Sequence, residues 1–318
     1  MNFRTYQDLA TCISSNIHKI PHDIQLIVGI PRSGVLAGSM LALYMNLPFI
    51  SLDDYVDGRN FATGSTRKSV GWVKNTSEAK NILVIDDSIS SGKAIKEAKG
   101  KITAAITDGV NVLYCAVYAL PMTCSLVDIY FEICNQPRMF EWNYMHHWAL
   151  EYCCMDIDGV LCEDPSFVQN DDGKKYSDFI RNARPRFLPT QKVGKLVTTR
   201  LGKYREETET WLREHNVRYD ELIMLENTTA RERALSNAHA IFKANVYKSC
   251  DSIMFFESDY GQALDICKIS GKPVFCVSKQ ELIDGTNVYQ KLCVHNKELR
   301  VTAKRIIRKL TNRLVYVK

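Results

Sequence analysis

The chain has 318 residues and a mass of 36.3 kDa, about twice the ~150 residues usual for one domain, so two domains are expected. Hydrophobic residues at 46% and charged residues at 24% exclude a disordered, collagen-like or repeat chain and supply enough apolar material for a sizeable core. The net charge of +5 is too small for a chain of this length to imply nucleic-acid binding.

No apolar run approaches the ~18 residues that span a bilayer, and Met1 to Ser15 lacks the basic start and apolar centre of a secretion signal. A cytoplasmic protein is predicted. The eleven cysteines are odd in number, scattered and without a Cys-x-x-Cys pair, which reads as reduced thiols, mostly in the core.

In chain order, apolar runs bounded by turn residues fall at Leu26 to Ile30, Ile82 to Ile85 and Val112 to Leu120, with helix-like segments between them. A second series runs through Tyr152 to Ile157, Lys195 to Thr199, Ile253 to Phe256 and Val274 to Val277. Each alternation predicts an α/β domain with a mostly parallel sheet flanked by helices, one over residues 1–150 and one over 151–318. The joining stretch Gln136 to Trp148 is aromatic-rich and unlike a linker; it fits packing between domains, or a platform for sugar rings.

Two segments carry chemistry in the first half. Ile82 to Ala94 is an apolar strand, then Asp86 and Asp87, a small-residue turn and a helical stretch. Ser90, Ser91 and Gly92 are placed to present N–H groups and hydroxyls to a phosphate at a helix N-terminus. The two aspartates at the strand end suit vicinal sugar hydroxyls. About 50 residues upstream, the strand Leu26 to Ile30 runs into Pro31-Arg32-Ser33-Gly34, a tight turn with a positive charge. The polar, glycine-punctuated stretch Gly58 to Lys68 lies between them.

The Ile82–Ala94 segment resembles the phosphoribosyl pyrophosphate (PRPP) motif of type I phosphoribosyltransferases. The resemblance implies that Asp86 and Asp87 hold the ribose hydroxyls. It implies that Ser88, Ser90, Ser91, Gly92, Lys93 and Ala94 surround the 5-phosphate, with Ala94 replacing the usual Thr or Ser. It also implies that Arg32, Ser33 and Gly34 bind pyrophosphate, and that Arg67 and Lys68 belong to a closing catalytic loop.

In the second half, the strand Tyr152 to Met155 leads to Asp156-Ile157-Asp158-Gly159. Two carboxylates two apart at a strand end suit a Mg²⁺ site with one nucleophile and one acid/base. The segment resembles the first signature of haloacid dehalogenase (HAD) phosphatases. That implies Asp156 as nucleophile, Asp158 as general acid/base and Thr198 as the phosphoryl-binding hydroxyl. Lys243, preferred to Lys248, is implied as the signature lysine. Asp156, Asp158 and either Glu257 or Asp259 would ligate Mg²⁺. Between Leu161 and Lys195 there is room only for a small cap, mostly of loops.

Residues 296–318 carry eight basic residues and one acidic, with apolar residues at helical spacing. A basic C-terminal helix is predicted, packed on its domain or drawn to an anionic membrane face. Taken together, the resemblances imply a bifunctional enzyme using Mg²⁺ at both sites: PRPP-dependent phosphoribosyl transfer to a glycan acceptor, free or lipid-linked, then removal of the 5-phosphate to leave a ribofuranosyl group. Such pairings resemble ribofuranosyltransferases of bacterial polysaccharide synthesis. A nucleobase phosphoribosyltransferase fused to a nucleotide phosphatase, or a non-catalytic PRPP sensor, are the alternatives.

Overall fold

The structure is a computed structural model that describes residues 1–61, 72–106, 108–170, 173–226, 238–298 and 302. Its contacts divide the chain into two compact units, Met1–Trp142 and Asn143–Lys318. The division falls before residue 150 because Tyr144, Ala149 and Leu150 are buried, and Tyr144 stacks on Phe256 at 5.0 Å, within the second unit.

In the first unit the order is β1 (Asn2–Arg4), α1 (Tyr6–Asn16), β2 (Leu26–Gly29), α2 (Ser33–Met45), β3 (Phe49–Ser51) and α3 (Leu52–Val56). It continues with β4 (Asn81–Ser88), α4 (Lys93–Ala105), β5 (Asn111–Ala119), β6 (Ile129–Ile133) and β7 (Arg138–Phe140). Helix α1 starts at a capping box: the Thr5 hydroxyl accepts from the Asp8 N–H, and the Asp8 carboxylate accepts from the Thr5 N–H. Strands β3-β2-β4-β5-β6 form one wholly parallel sheet, and β1 pairs with β7 in a separate parallel ribbon.

Side chains alternate across that sheet. Ile27, Leu83, Ile85, Cys115 and Val117 join the core beneath α1 and α2, while Leu26, Val28, Ile82, Val84 and Ala116 join the core beneath α4. Helix α4 meets its core with Ile95, Ala98 and Ile102, at helical spacing. Burial on both faces explains why these strands read as continuous apolar runs.

The second unit contains β8 (Cys153–Met155), α5 (Lys174–Asn182), β9 (Val193–Leu201), α6 (Arg205–Glu214) and β10 (Tyr219–Leu225). It continues with α7 (Ala238–Ser249), β11 (Met254–Glu257), α8 (Tyr260–Ser270), β12 (Val274–Cys276) and β13 (Glu281–Ile283). The sheet order is β10-β9-β8-β11-β12-β13, parallel except for the antiparallel β12–β13 pair. Helices α7 and α8 bury Ala240, Ala244, Tyr247, Ala263, Leu264 and Cys267 in one core with Cys154, Val197 and Phe255 from the strands.

Between Leu161 and Lys195 the chain is more ordered than a loop-rich cap implies. Tyr176, Phe179 and Ile180, at i, i+3 and i+4, give α5 a buried apolar face. The eleven cysteines are free thiols, mostly buried. Among the described residues, no helix is long and apolar enough to cross a membrane. Of the basic segment 296–318, all but residues 296–298 and 302 lie outside the described residues.

Candidate active sites

In the first unit, β2 and β4 are neighbours in the sheet, so the turn after one and the acidic pair ending the other meet at the same edge. The Ser33 hydroxyl donates to Asp87 Oδ1 at 2.7 Å, joining positions 54 residues apart. Gly34 makes the approach possible. A Cβ there would lie 2.8 Å from the Ile85 carbonyl oxygen and 3.0 Å from the Asp86 carboxylate, leaving no room for a larger residue.

The second oxygen of Asp87 accepts from the Trp142 indole N–H at 2.8 Å. Asp86 turns an oxygen back to the Asp87 N–H at 2.9 Å. Burial, and next the adjacent Asp87, push the Asp86 carboxyl well above the usual carboxylate range. Ser90, Ser91, Lys93 and Ala94 are exposed at the head of α4, where the Lys93 N–H donates to the Ser91 hydroxyl at 3.3 Å. Ser88 is partly buried at the end of β4, and Gly92 is buried with a φ of +77°. Arg32 is exposed in the turn before α2. Arg67 and Lys68 lie outside the described residues.

Two participants were not singled out from sequence. Trp142 holds Asp87, and the buried Arg138 donates to the Ile89 carbonyl at 2.6 Å, fastening the loop from beneath. Trp142 also stacks on Phe140 at 4.8 Å, so part of the aromatic stretch serves the first unit's own site.

In the second unit, β8 and β11 are adjacent and parallel, which sets Asp156 and Glu257 at one edge of the sheet. Lys243 reaches them from α7. Its Nζ donates to Asp156 Oδ2 at 2.6 Å, Glu257 Oε2 at 2.7 Å and Gln262 Oε1 at 3.0 Å, and all three charged side chains are buried. Burial alone would lower the lysine pKa, but the two carboxylates raise it overall and fix it as an ammonium. Burial pushes Asp156 upward, opposed by Lys243 and reinforced by Glu257 and Asp158.

Asp158 stands apart from that cluster. The fully buried Arg200 grips it through Nη2 at 2.6 Å and Nε at 3.1 Å. Arg200, in the strand that follows Thr198 and Thr199, is the functional candidate most easily missed, because nothing in the sequence ties it to a carboxylate 42 positions away. Gly159 follows with a φ of +74°; a Cβ there would lie 2.1 Å from the Ser258 hydroxyl, so the turn admits only glycine.

A cavity of 570 Å³ opens over these groups, lined by Asp156, Asp158, Asp164, Lys243, Glu257 and Asp259 among others. Thr199 is in its wall, whereas Thr198 is buried and accepts the Arg200 N–H at 3.2 Å. Successive residues of a strand face opposite ways, so the choice between two adjacent threonines is not legible from the motif alone.

The chemistry of the donors fits a hard divalent cation. Five lining carboxylates, Asp156, Asp158, Asp164, Glu257 and Asp259, stand against Lys243, Arg186 and Arg200, an excess of two negative charges. They are not gathered into a preformed cage. Among the described residues, no three His, Cys, Asp or Glu side chains are placed to hold a metal ion together.

No family model matches the chain, and no curated protein matches it. Solved structures similar to part of it include the xanthine-guanine-hypoxanthine phosphoribosyltransferase of Helicobacter pylori, at 16% identity, over 44% of this chain and 90% of that one, with a TM-score of 0.32. The purine phosphoribosyltransferase of Pyrococcus horikoshii matches at 14% identity over 44% of this chain and 92% of its own, with a TM-score of 0.33. The orotate phosphoribosyltransferase of Aeropyrum pernix matches at 14% identity over 39% and 67%, with a TM-score of 0.26. At these TM-scores the likenesses decide nothing about function.

Proposed function

We propose that the first unit transfers 5-phosphoribosyl from PRPP to a glycan hydroxyl and that the second removes the 5-phosphate, leaving a ribofuranosyl group. The reading is supported by one observation above others: each unit gathers polar and charged groups from distant positions at the edge of a parallel sheet, Ser33 with Asp87 in one and Asp156 with Lys243 and Glu257 in the other.

In the transfer, the acceptor oxygen bonds to ribose C1 as the C1–oxygen bond to pyrophosphate breaks, and the acceptor proton leaves to solvent or to the departing group. Arg32, Ser33 and Gly34 would receive pyrophosphate, Asp86 and Asp87 the ribose hydroxyls, and Ser88 to Ala94 the 5-phosphate. Arg67 and Lys68 would add charge opposite the leaving pyrophosphate. Mg²⁺ would enter this site with the PRPP.

In the second reaction, an Asp156 oxygen attacks phosphorus and the bond to the sugar O5 breaks, with Asp158 supplying the proton to O5. Water then attacks the phospho-aspartate, Asp158 takes its proton, and inorganic phosphate leaves. For this Asp158 must exchange its grip on Arg200 for the leaving oxygen. Lys243 keeps Asp156 oriented and favours its ionised form against burial, and Thr199 would face the phosphoryl oxygens. Mg²⁺, which when bound offsets phosphoryl charge, would be held by one or two carboxylates, Asp156 with either Glu257 or Asp259, together with the substrate phosphate. The basic segment 296–318 would bring the protein to an anionic membrane face carrying a lipid-linked acceptor.

The test is incubation of the parent and Asp156→Asn with PRPP, Mg²⁺ and glycan or nucleobase acceptors. The variant should accumulate a phosphoribosylated glycan that the parent converts to a ribofuranosylated one. Transfer to nucleobases only, or no consumption of PRPP, overturns the reading.

A further inference from the structure

A second cavity, of 490 Å³, adjoins the first in the second unit. His239, Asp259 and Gln262 line both, so the two share a wall at the head of α8. Its remaining wall comes from Ala240 on α7, from Gly261, Asp265 and Lys268 along one face of α8, and from Leu292, His295 and Asn296 in the helical stretch 288–298. Gly261 lets the parts close together, since a Cβ there would lie 3.3 Å from Asp259 Oδ1 and 3.5 Å from His295 Nε2. The His295 ring packs edge-on against Tyr260 at 5.3 Å, which fixes it at the rim.

We propose that this second cavity seats the leaving group of the phosphoester and that it takes a neutral, hydroxyl-rich sugar moiety. The inference rests on reading the first cavity as the phosphoester site, and it adds what lies on the other side of the scissile bond. Three features select the class of ligand. Asp265 accepts from hydroxyls, while Lys268, Gln262 and Asn296 donate to them, a mixed set suited to vicinal hydroxyl groups. Among the described residues the apolar lining is Ala240, Gly261 and Leu292, without a Phe, Tyr or Trp face on which a nucleobase would stack. Two carboxylates against one lysine favour a neutral ligand over a second phosphate in this seat, which unlike the first cavity is assigned no cation to offset that charge. The volume lies within the ~300–1,000 Å³ typical of small-molecule sites.

The experiment compares kcat/KM for acetyl phosphate, ribose 5-phosphate and AMP, with Mg²⁺, in the full chain and in Asp265→Asn and His295→Ala. Each protein is also examined by saturation-transfer NMR with methyl β-ribofuranoside. The parent should prefer ribose 5-phosphate to AMP; Asp265→Asn should lower the ribose 5-phosphate to acetyl phosphate ratio about tenfold, the worth of one lost hydrogen bond to a charged group, and His295→Ala, which removes the ring from the rim, should lower it in the same direction. Saturation transfer to the riboside should be present in the parent and lost in the isosteric Asp265→Asn. An unchanged ratio in both variants, or AMP as the better substrate, overturns the proposal. If the parent hydrolyses none of the three phosphates, it is the phosphoester reading that falls. Saturation transfer then decides the sugar seat alone: a signal lost in Asp265→Asn upholds it, and no signal in the parent overturns it.

Discussion

Replacing Lys243 by Met removes one positive charge from between two carboxylates and keeps most of the side-chain volume. Asp156 is 5% exposed and Glu257 is 1% exposed, and each spends an oxygen on Lys243 Nζ, at 2.6 and 2.7 Å. Removing one partner of a buried pair costs ~3–5 kcal/mol because the other charge is left unpaired. Here two charges are left and they repel, so the loss at pH 7 should sit near the top of that range, about 5 kcal/mol, a large part of a domain's whole stability.

Two controls separate charge from packing. In Lys243→Met/Glu257→Gln the repulsion is gone, so the double variant should recover about 2 kcal/mol over the single one. The pH dependence has a definite sign. Burial already raises Asp156 above its unfolded value, and losing Lys243 removes the main influence holding it down, so the folded variant binds a proton more readily than the unfolded chain. Its stability is then fully present below the unfolded value near ~3.9 and lost as pH rises through the folded one. The deficit should shrink between pH 8 and pH 5. Urea unfolding of EDTA-treated protein, followed by tryptophan fluorescence, measures it. A loss under ~1 kcal/mol, or a deficit that grows on acidification, refutes the buried-charge argument.

Trp142→Phe keeps the stack on Phe140 and deletes the only indole donor to Asp87, so PRPP affinity by calorimetry should fall about tenfold; an unchanged Kd means the indole does not position Asp87. Gly34→Ala drives a methyl to 2.8 Å from the Ile85 carbonyl and should cost ~1–3 kcal/mol in urea unfolding, with loss of PRPP binding; full stability would contradict the close approach of α2 to β4. Truncation before Asn296 removes eight basic residues and should abolish sedimentation with anionic liposomes; retained association assigns that segment a purely structural role.

The sheets were legible because their strands are buried on both faces. Leu26–Gly29 and Met254–Glu257 read as apolar runs at once. Strand β10 escaped because Tyr219, Asp220 and Glu221 put polar residues in its first half, and β3 and β6 because each is short and only partly buried. Helix α5 escaped for a related reason, its three buried residues being diluted by charged neighbours in a stretch bounded by loops. Thr199 replaced Thr198 in the cavity wall because a one-residue step in a strand reverses the face.

What the sequence conceals at both sites is the partner of each acid. Asp87 and Asp158 stand out at strand ends, yet the groups that fix them, Trp142 and Arg200, lie 55 and 42 positions away and belong to no local pattern. Strand-end carboxylates at a parallel sheet edge are exposed to the incoming ligand on one side and to the folded chain on the other. Donors from the chain side decide whether a carboxylate is a fixed acceptor or one free to trade protons. Asp87, with Ser33 and Trp142 on its two oxygens, is a fixed acceptor that orients its neighbour Asp86 through the N–H between them. Asp158 is held beside the cavity by the Arg200 guanidinium and the Cys162 thiol; trading the guanidinium for a leaving oxygen leaves Arg200 buried with only the neutral Thr208 and Cys162 as partners, a cost that the negative charge of a bound substrate would have to offset. Two acids of like position in their sheets thus differ in what is bonded behind them, two neutral donors on Asp87 and a buried cation on Asp158.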